Sequence, residues 1–154
     1  MSSSRHRGFT LIELIIFIVV VGGAMAGILS VSNTVVKSSA DPMVRKQSLA
    51  IAQSLLEEIL LKEYAKPSGS TVVGFSGGGA RNLYDCVSDY NGYVTSTGIV
   101  DGTGAAVSGL SGYNVTPAVS VTSTTIGAVS VYKVVVSVTG PQGVVSLTGY
   151  RGNY

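Results

Sequence analysis

One carboxylate lies inside a long apolar stretch near the start of the chain. Glu13 interrupts a run of 21 residues, Phe9 to Leu29, that is otherwise free of charge. As an α-helix this run measures roughly 32 Å, which is enough to cross the hydrocarbon core of a bilayer. An acid inside a membrane helix costs roughly 2.5–3.5 kcal/mol, so a plain anchor has no reason to carry one. Glu13 is therefore the first candidate for a functional group.

Glu13 needs a partner, because a buried carboxylate is stable only when it is paired or hydrogen-bonded. No cation follows it within two helical turns. If the chain were cut between Gly8 and Phe9, the new amino group of Phe9 would lie near the level of Glu13 in the membrane. A neighbouring subunit, shifted along a common axis, could then offer its Glu13 to that amine.

The residues around this point resemble the processing site of type IV prepilins and type II secretion pseudopilins. They comprise the basic leader Arg5-His6-Arg7, then Gly8 and Phe9, then Thr-Leu-Ile-Glu ending at Glu13. The resemblance implies that a prepilin peptidase cuts between Gly8 and Phe9, that Phe9 is N-methylated, and that Glu13 helps a subunit dock into a filament. The implied partners are the prepilin peptidase and other pilins or pseudopilins, which the N-terminal helix contacts.

Two other interpretations of the same stretch stand beside this one. Ala24-Met25-Ala26 offers a small-residue cleavage site after an apolar core, as in an ordinary secretory signal peptide. Against that interpretation, Glu13 interrupts the core and the apolar run continues past the site. The second alternative is a single-pass anchor with no role in assembly.

The charges favour a membrane protein and exclude a nucleic-acid partner. Ten basic and eight acidic residues give a formal charge of +2, and loss of Arg5 and Arg7 with the leader leaves the two signs equal in number. No basic stripe remains to pair with phosphates. The leader charges keep that end cytoplasmic under the positive-inside rule. The resemblance to prepilins then implies a single pass of the bacterial inner membrane, a periplasmic domain, and a subunit that can enter a cell-surface filament.

The remaining residues give little sign of enzyme chemistry. The single histidine, His6, lies in the leader, and there is no phosphate-binding loop or nucleophile with a base. We predict a non-enzyme without a cofactor. Cys86, the one cysteine, is expected to be a small buried residue. The three acids Asp85, Asp89 and Asp101 suggest a calcium site, although no EF-hand spacing is present.

The chain divides by composition into three parts. We predict a cleaved leader over residues 1–8, a transmembrane and N-terminal helix over 9–40, and a periplasmic pilin-like globular domain over 41–154. Asp41-Pro42 favours a kink or short break, because proline removes a helical hydrogen bond and disfavours helix at the residue before it. A second helical segment then runs from Pro42 to about Tyr64.

This second segment is amphipathic and leads into a long irregular connection. Its predicted buried face consists of Ser48, Leu49, Ala52, Leu55, Leu56 and Ile59. Residues 68–112 are rich in Gly, Ser, Thr and Asn and are expected to lack long helices or strands. The tyrosines of the 82–93 stretch could form a docking surface, or they could anchor the connection against the helix, which we favour.

The last part of the chain changes to strand patterns. Tyr113 to Val121 is predicted as a strand, with Pro117 implying an edge or a bulge. Ala128 to Thr139 alternates as a stronger strand, a turn follows at 140–143, and Val144 to Gly149 returns as the next strand. The fold class is therefore α+β, a long N-terminal helix packed on a small antiparallel sheet, as in pilins.

Three functions agree with this organisation. The first is a minor pilin of a type IV pilus, and the second is a minor pseudopilin of a type II secretion system. The third is an adhesin or receptor-binding tip module that uses the tyrosine-rich loop. Scattered segments resemble minor pilin-like subunits of mannose-sensitive haemagglutinin (MSHA) pili. They are Ala40 to Gln47, Leu55 to Glu58, Tyr84 to Gly92, and Thr148 to Tyr154.

Overall fold

The fold is a long helix followed by a four-stranded antiparallel sheet. A computed structural model describes the backbone of residues 10–153, and their side chains apart from 32–41 and 77. The elements are α1 (Leu11–Leu60), three short 3-10 turns (Phe75–Gly77, Arg81–Leu83 and Val87–Tyr90), β1 (Asn114–Val115), β2 (Ser120–Ile126), β3 (Val129–Gly140) and β4 (Gly143–Gly152). This architecture confirms the predicted α+β, pilin-like fold class.

The helix α1 differs from the prediction at two points. Pro42 lies inside α1, so the short break predicted at Asp41-Pro42 is wrong. The helix also ends at Leu60 instead of Tyr64, because Glu63 forms a parallel bridge with Cys86 of the following connection. The Glu63 backbone accepts a hydrogen bond from the Val87 N–H at 3.0 Å, which requires an extended backbone there.

Two compact units share this helix, and the division falls between Ala40 and Asp41. In the first unit, Leu11–Val31 is long and apolar enough to cross a membrane, with a mean hydropathy of 2.7. None of this segment is buried among the described residues. In the second unit, the part of α1 beyond Pro42 packs on the sheet.

The strand β3 lies at the centre of the sheet. It pairs with β4 from Val131↔Gly152 to Gly140↔Gly143. Its other edge pairs with β2 along one half and with β1 along the other, as in Val115↔Val138. The predicted antiparallel meander of the last 40 residues is confirmed, since β2, β3 and β4 follow one another through short turns.

The core lies between the helix and one face of β3. Ala52, Leu55 and Ile59 are buried on the helix side. Val134, Val136 and Val138 are fully buried on the strand side, as their alternation predicts. These side chains belong to one hydrophobic cluster that also contains Val115 and Val119. Burial of this set is the main source of the domain's stability.

One residue of the predicted buried face, Leu49, is exposed. Leu49 is 40% exposed, whereas Ser48 is buried and Leu56 is half-buried. The centre of the buried stripe runs through Ser48, Ala52 and Ile59, so Leu49 lies about 80° around the helix from it. Leu49 therefore lies at the margin of the helix–sheet contact.

Two glycines let the helix approach the sheet. A Cβ atom on Gly149 of β4 would lie 2.9 Å from Leu60 Cδ1, and one on Gly140 of β3 would lie 2.6 Å from Ser48 Oγ. Both distances are too short for a real contact. Glycine at these positions therefore sets how closely α1 lies against the sheet.

The strand predicted over Tyr113 to Val121 is wrong in extent. The structure has the two-residue β1 and then begins β2 at Ser120, with a cis Thr116–Pro117 peptide between them. The prediction also ended at Val121 and so missed most of β2. Five of its seven residues are Ser or Thr, and six of the seven are exposed. A strand without apolar alternation gives no period-2 signal.

The long connection is anchored by its tyrosines. Tyr84, Tyr90 and Tyr93 are 2%, 0% and 6% exposed and belong to the core cluster. The rings of Tyr84 and Tyr90 meet edge to face, with centroids 4.9 Å apart. The anchoring interpretation is confirmed, and these three rings are not available as a docking surface. Cys86 is a free thiol and fully buried, as predicted.

Candidate functional site: the N-terminal helix and the 81–93 turn region

Glu13 lies in the first turn of α1. Its backbone N–H donates to the Thr10 carbonyl at 3.1 Å, so the turn is already formed at this residue. The carboxylate is exposed, and within the described residues it forms no salt bridge. Its neighbours Leu11 and Ile12 are 77% and 67% exposed, so the acid lies in an uncovered apolar surface.

The position of Glu13 in the first turn has an electrostatic consequence. The first N–H groups of a helix carry partial positive charge, which stabilises a nearby anion by about 0.3–1 kcal/mol. This gain is smaller than the roughly 2.5–3.5 kcal/mol needed to place an acid inside a membrane. The helix alone therefore does not compensate for burying Glu13 in a membrane.

Gly8 and Phe9 lie outside the described residues. The predicted cleavage between them and the predicted methylation of Phe9 therefore have no structural description.

The second half of the apolar segment presents small residues on one side. A Cβ atom added at Gly23 or Gly27 would meet nothing within 4 Å among the described residues. These two glycines and Ala24 line a shallow groove with Ile28 and Val31. The spacing of Gly23 and Gly27 is that of small residues through which membrane helices pack closely.

Comparison with known families bears on this same segment. Residues 3–29 match the prokaryotic N-terminal methylation motif. The match supports a type IV pilin-like protein, a class whose members are structural and not enzymatic. It implies processing by a prepilin peptidase and association with other pilins. The apolar helix Leu11–Val31 together with the motif fits a membrane-anchored pilin. No curated protein and no solved structure matches the chain.

A second group of chemically active side chains lies in the pilin-like domain. One ligand atom each from Asp85, Cys86 and Asp89 lies within 4.8 Å of the others. Asp89 is 6% exposed. Its Oδ2 accepts the backbone N–H groups of Asp85 and Cys86 at 3.2 and 3.4 Å, and its Oδ1 pairs with Lys66 Nζ at 3.3 Å.

These contacts set the proton affinities in the group. Burial by itself raises the pKa of Asp89, but the hydrogen bonds from Asp85 and Cys86 outweigh it and lower that pKa below its usual value. Burial raises the pKa of the Cys86 thiol, which makes the thiolate less available. Asp89 therefore acts in this structure as the acceptor that fixes the turn Val87–Tyr90.

The structure does not bring Asp101 into this group. Its carboxylate accepts from Thr103 Oγ1 at 2.7 Å and from the Thr103 and Ala105 N–H groups, so it closes a local turn. The side-chain hydrogen bond from Thr103 lowers the pKa of Asp101. Calcium takes six to eight oxygen ligands, and both oxygens of Asp89 already have donors. The calcium site stays a prediction.

The sequence did not predict one polar network in the 81–93 turn region. Glu58 of α1 accepts the Tyr90 hydroxyl hydrogen bond at 2.7 Å and pairs with Arg81 Nη1 at 3.2 Å. Arg81 also donates to the Val100 carbonyl at 3.0 Å, and its guanidinium lies 5.6 Å from the Tyr93 ring centroid. Glu58 lies more than 20 residues before Arg81 and Tyr90 in the sequence, and most of the chain between them is irregular, so no local spacing could have joined them.

Proposed function

We propose that the chain is a minor pilin-like subunit that takes part in the assembly of a type IV pilus. In this proposal a prepilin peptidase cleaves between Gly8 and Phe9, and the amine of Phe9 is methylated. The processed subunit stays in the inner membrane through residues 9–40 until it enters the filament. Residues 41–154 form the periplasmic pilin-like domain.

One observation carries the proposal: the match of residues 3–29 to the N-terminal methylation motif, with Glu13 in the first turn of an uncovered apolar helix. A free carboxylate at this level needs a cation, and the amine of Phe9 on a neighbouring subunit would supply it. This pairing would stabilise a new subunit at the correct axial position in the filament. Assembly is a structural role and needs no catalytic group or cofactor.

The finer assignment rests on resemblance alone. The scattered segments that resemble MSHA pilus subunits support a role like that of the minor pilin-like D component of those pili. The same motif supports a minor pseudopilin of a type II secretion system, which is the alternative. Deletion of the gene separates them: loss of pili supports the first, whereas retained pili with blocked exoprotein release support the second.

Replacement of Glu13 tests the docking role. We expect Glu13→Ala and Glu13→Gln to be cleaved nearly as well as the unaltered chain but to enter filaments at least about tenfold less. A tenfold effect corresponds to the loss of about 1.4 kcal/mol of pairing free energy between Glu13 and the amine. The quantities to measure are the fraction processed in membranes and the fraction in sheared filaments. Glu57→Ala, which removes an exposed acid from the second unit, is the matched control. Normal entry of both Glu13 variants would refute the docking role.

A further inference from the structure

The strand β4 forms one edge of the sheet. It pairs with β3 along its whole length, and within the described residues no other strand pairs with it. Proteins usually protect such an edge with charges or proline, because its unpaired N–H and C=O groups accept a further strand. The only charge in β4 is Arg151, whose Nε donates to the Lys62 carbonyl of the same chain. Residues 143–150 carry no such protection.

The flank of α1 runs beside this strand. Leu49 and Val145 line the same depression, and a Cβ atom on Gly149 would lie 3.1 Å from Leu56 Cδ1. Helix and strand therefore lie side by side over this stretch. About 16 Å of helix from Leu49 to Leu60 runs beside about 13 Å of strand from Val145 to Gly149. A segment added to β4 would have an apolar helix flank next to it.

Two cations lie at the start of this flank. Arg45 and Lys46 line the depression of about 370 Å³ together with Pro42, Leu49 and Val145. Both cations are exposed, and neither forms a salt bridge within the described residues. The depression thus combines apolar side chains with positive charge. It is complementary to an acidic segment that also carries apolar residues.

We propose that β4 and this flank bind an extended segment of a neighbouring pilin-like subunit, which adds to the sheet as a further strand. The segment places apolar side chains against Leu49 and Val145 and at least one carboxylate near Arg45 and Lys46. An extended segment is required, because a helix already uses its own N–H and C=O groups. This inference rests on the proposed function, since the neighbour is taken to be another subunit of the filament.

The other edge of the sheet serves as an internal comparison. β2 also has a free edge within the described residues, but five of its seven residues are Ser or Thr. It contains no charged residue. If edge pairing alone decided the contact, both edges would bind alike. Because the flank of α1 lies beside β4, we predict that β4 binds the extended segment and that β2 does not.

Site-specific cross-linking of the full chain in its own cells tests the proposal. The photoreactive residue p-benzoylphenylalanine replaces Thr148 of β4 in one strain and Thr124 of β2 in the other. The two positions match, because each is an exposed threonine opposite a valine of β3. We expect an adduct at Thr148 at least about tenfold stronger than at Thr124. Mass spectrometry should map it to an acidic segment of a protein that carries the N-terminal methylation motif.

Charge reversal supplies the second arm. Arg45→Glu with Lys46→Glu should lower the Thr148 adduct at least about fivefold, whereas Lys133→Glu, at an exposed cation of β3, should leave it unchanged. Equal adducts at Thr148 and Thr124, an adduct with a protein lacking the motif, or no response to the double reversal would each overturn the proposal. Amino-terminal sequencing of the same samples separates two failures. A chain that does not begin at Phe9 refutes the proposed function, whereas a chain that begins there without a Thr148 adduct refutes only the edge contact.

Discussion

The carboxylate of Asp89 provides the sharpest test of how the long connection is fixed. In Asp89→Asn the side chain keeps its shape but loses its charge. The hydrogen bonds from the Asp85 and Cys86 N–H groups become neutral, and the pair with Lys66 at 3.3 Å is lost. A hydrogen bond to a charged group contributes about 1 kcal/mol more than a neutral one. The Lys66 pair adds little, because Lys66 is 40% exposed and water screens the interaction.

We expect Asp89→Asn to lower the free energy of unfolding by about 2 kcal/mol at neutral pH, and the melting temperature by roughly 8 °C. The loss should depend on pH. The pKa of Asp89 lies below its usual value in the folded chain, so its charge stabilises the fold above about pH 4. That stabilisation disappears as the pH falls through the lowered pKa. The difference in the free energy of unfolding between the two proteins should therefore be largest at pH 7. It should approach zero at the lowest pH at which the domain stays folded.

The assay must report on the pilin-like domain and not on the long helix. Far-ultraviolet circular dichroism would be dominated by α1. The chain has eight tyrosines and no tryptophan, and four of the tyrosines are in the core. Near-ultraviolet dichroism of the full chain in detergent therefore follows the loss of the core. Glu57→Gln, which removes an exposed charge, should change stability by less than about 0.5 kcal/mol. A pH-independent difference, or an Asp89→Asn protein as stable as the original, would refute the assigned role.

Three further predictions use the same assay. Ile59→Ala should cost about 2–5 kcal/mol because the side chain is fully buried, whereas Leu61→Ala, at an 85% exposed position, should be nearly neutral. Gly140→Ala should cost about 1–3 kcal/mol through its contacts with the helix, and Gly112→Ala, where the nearest atom is 3.8 Å away, serves as its control. Burial raises the pKa of Tyr90, so only the unfolded chain loses this proton near pH 10. The loss of this proton should contribute about 1.4 kcal/mol per pH unit to the fall in stability above pH 10, beside the contributions of Tyr84 and Tyr93, whose pKa values burial also raises. Tyr90→Phe should make the slope shallower by that amount; an unchanged slope would contradict this.

The parts of the fold with a strong hydrophobic period could be predicted from the sequence. The apolar run gives the membrane-length segment of α1, and the alternating valines give β3 and its buried face. The Ser and Thr of β2 give no such signal, because its pairing with β3 depends on long-range hydrogen bonds. The continuation of α1 through Pro42 was also missed. The local rule for proline does not take into account that helical residues after Pro42 are buried against the sheet.

The candidate site shows the same contrast. Glu13 stands out by residue type, because an acid in an apolar run is costly wherever the chain folds. The contacts of Asp89 and Glu58 depend on where an irregular connection returns to the helix, which no spacing encodes. The weak grouping of Asp85, Asp89 and Asp101 illustrates this: two of the three lie together, and the third closes its own turn. Composition alone could not separate them.

The most direct measurement is the mass and amino-terminal sequence of the mature protein, extracted from the membranes of cells that carry the prepilin peptidase. The account predicts a chain that begins at Phe9 and carries one added methyl group, as the motif at residues 3–29 implies. A chain that begins after Ala26 would be an ordinary secreted protein. A chain that still begins at Met1 would be a simple anchor. Either of these results would contradict the assignment to a pilus-type filament.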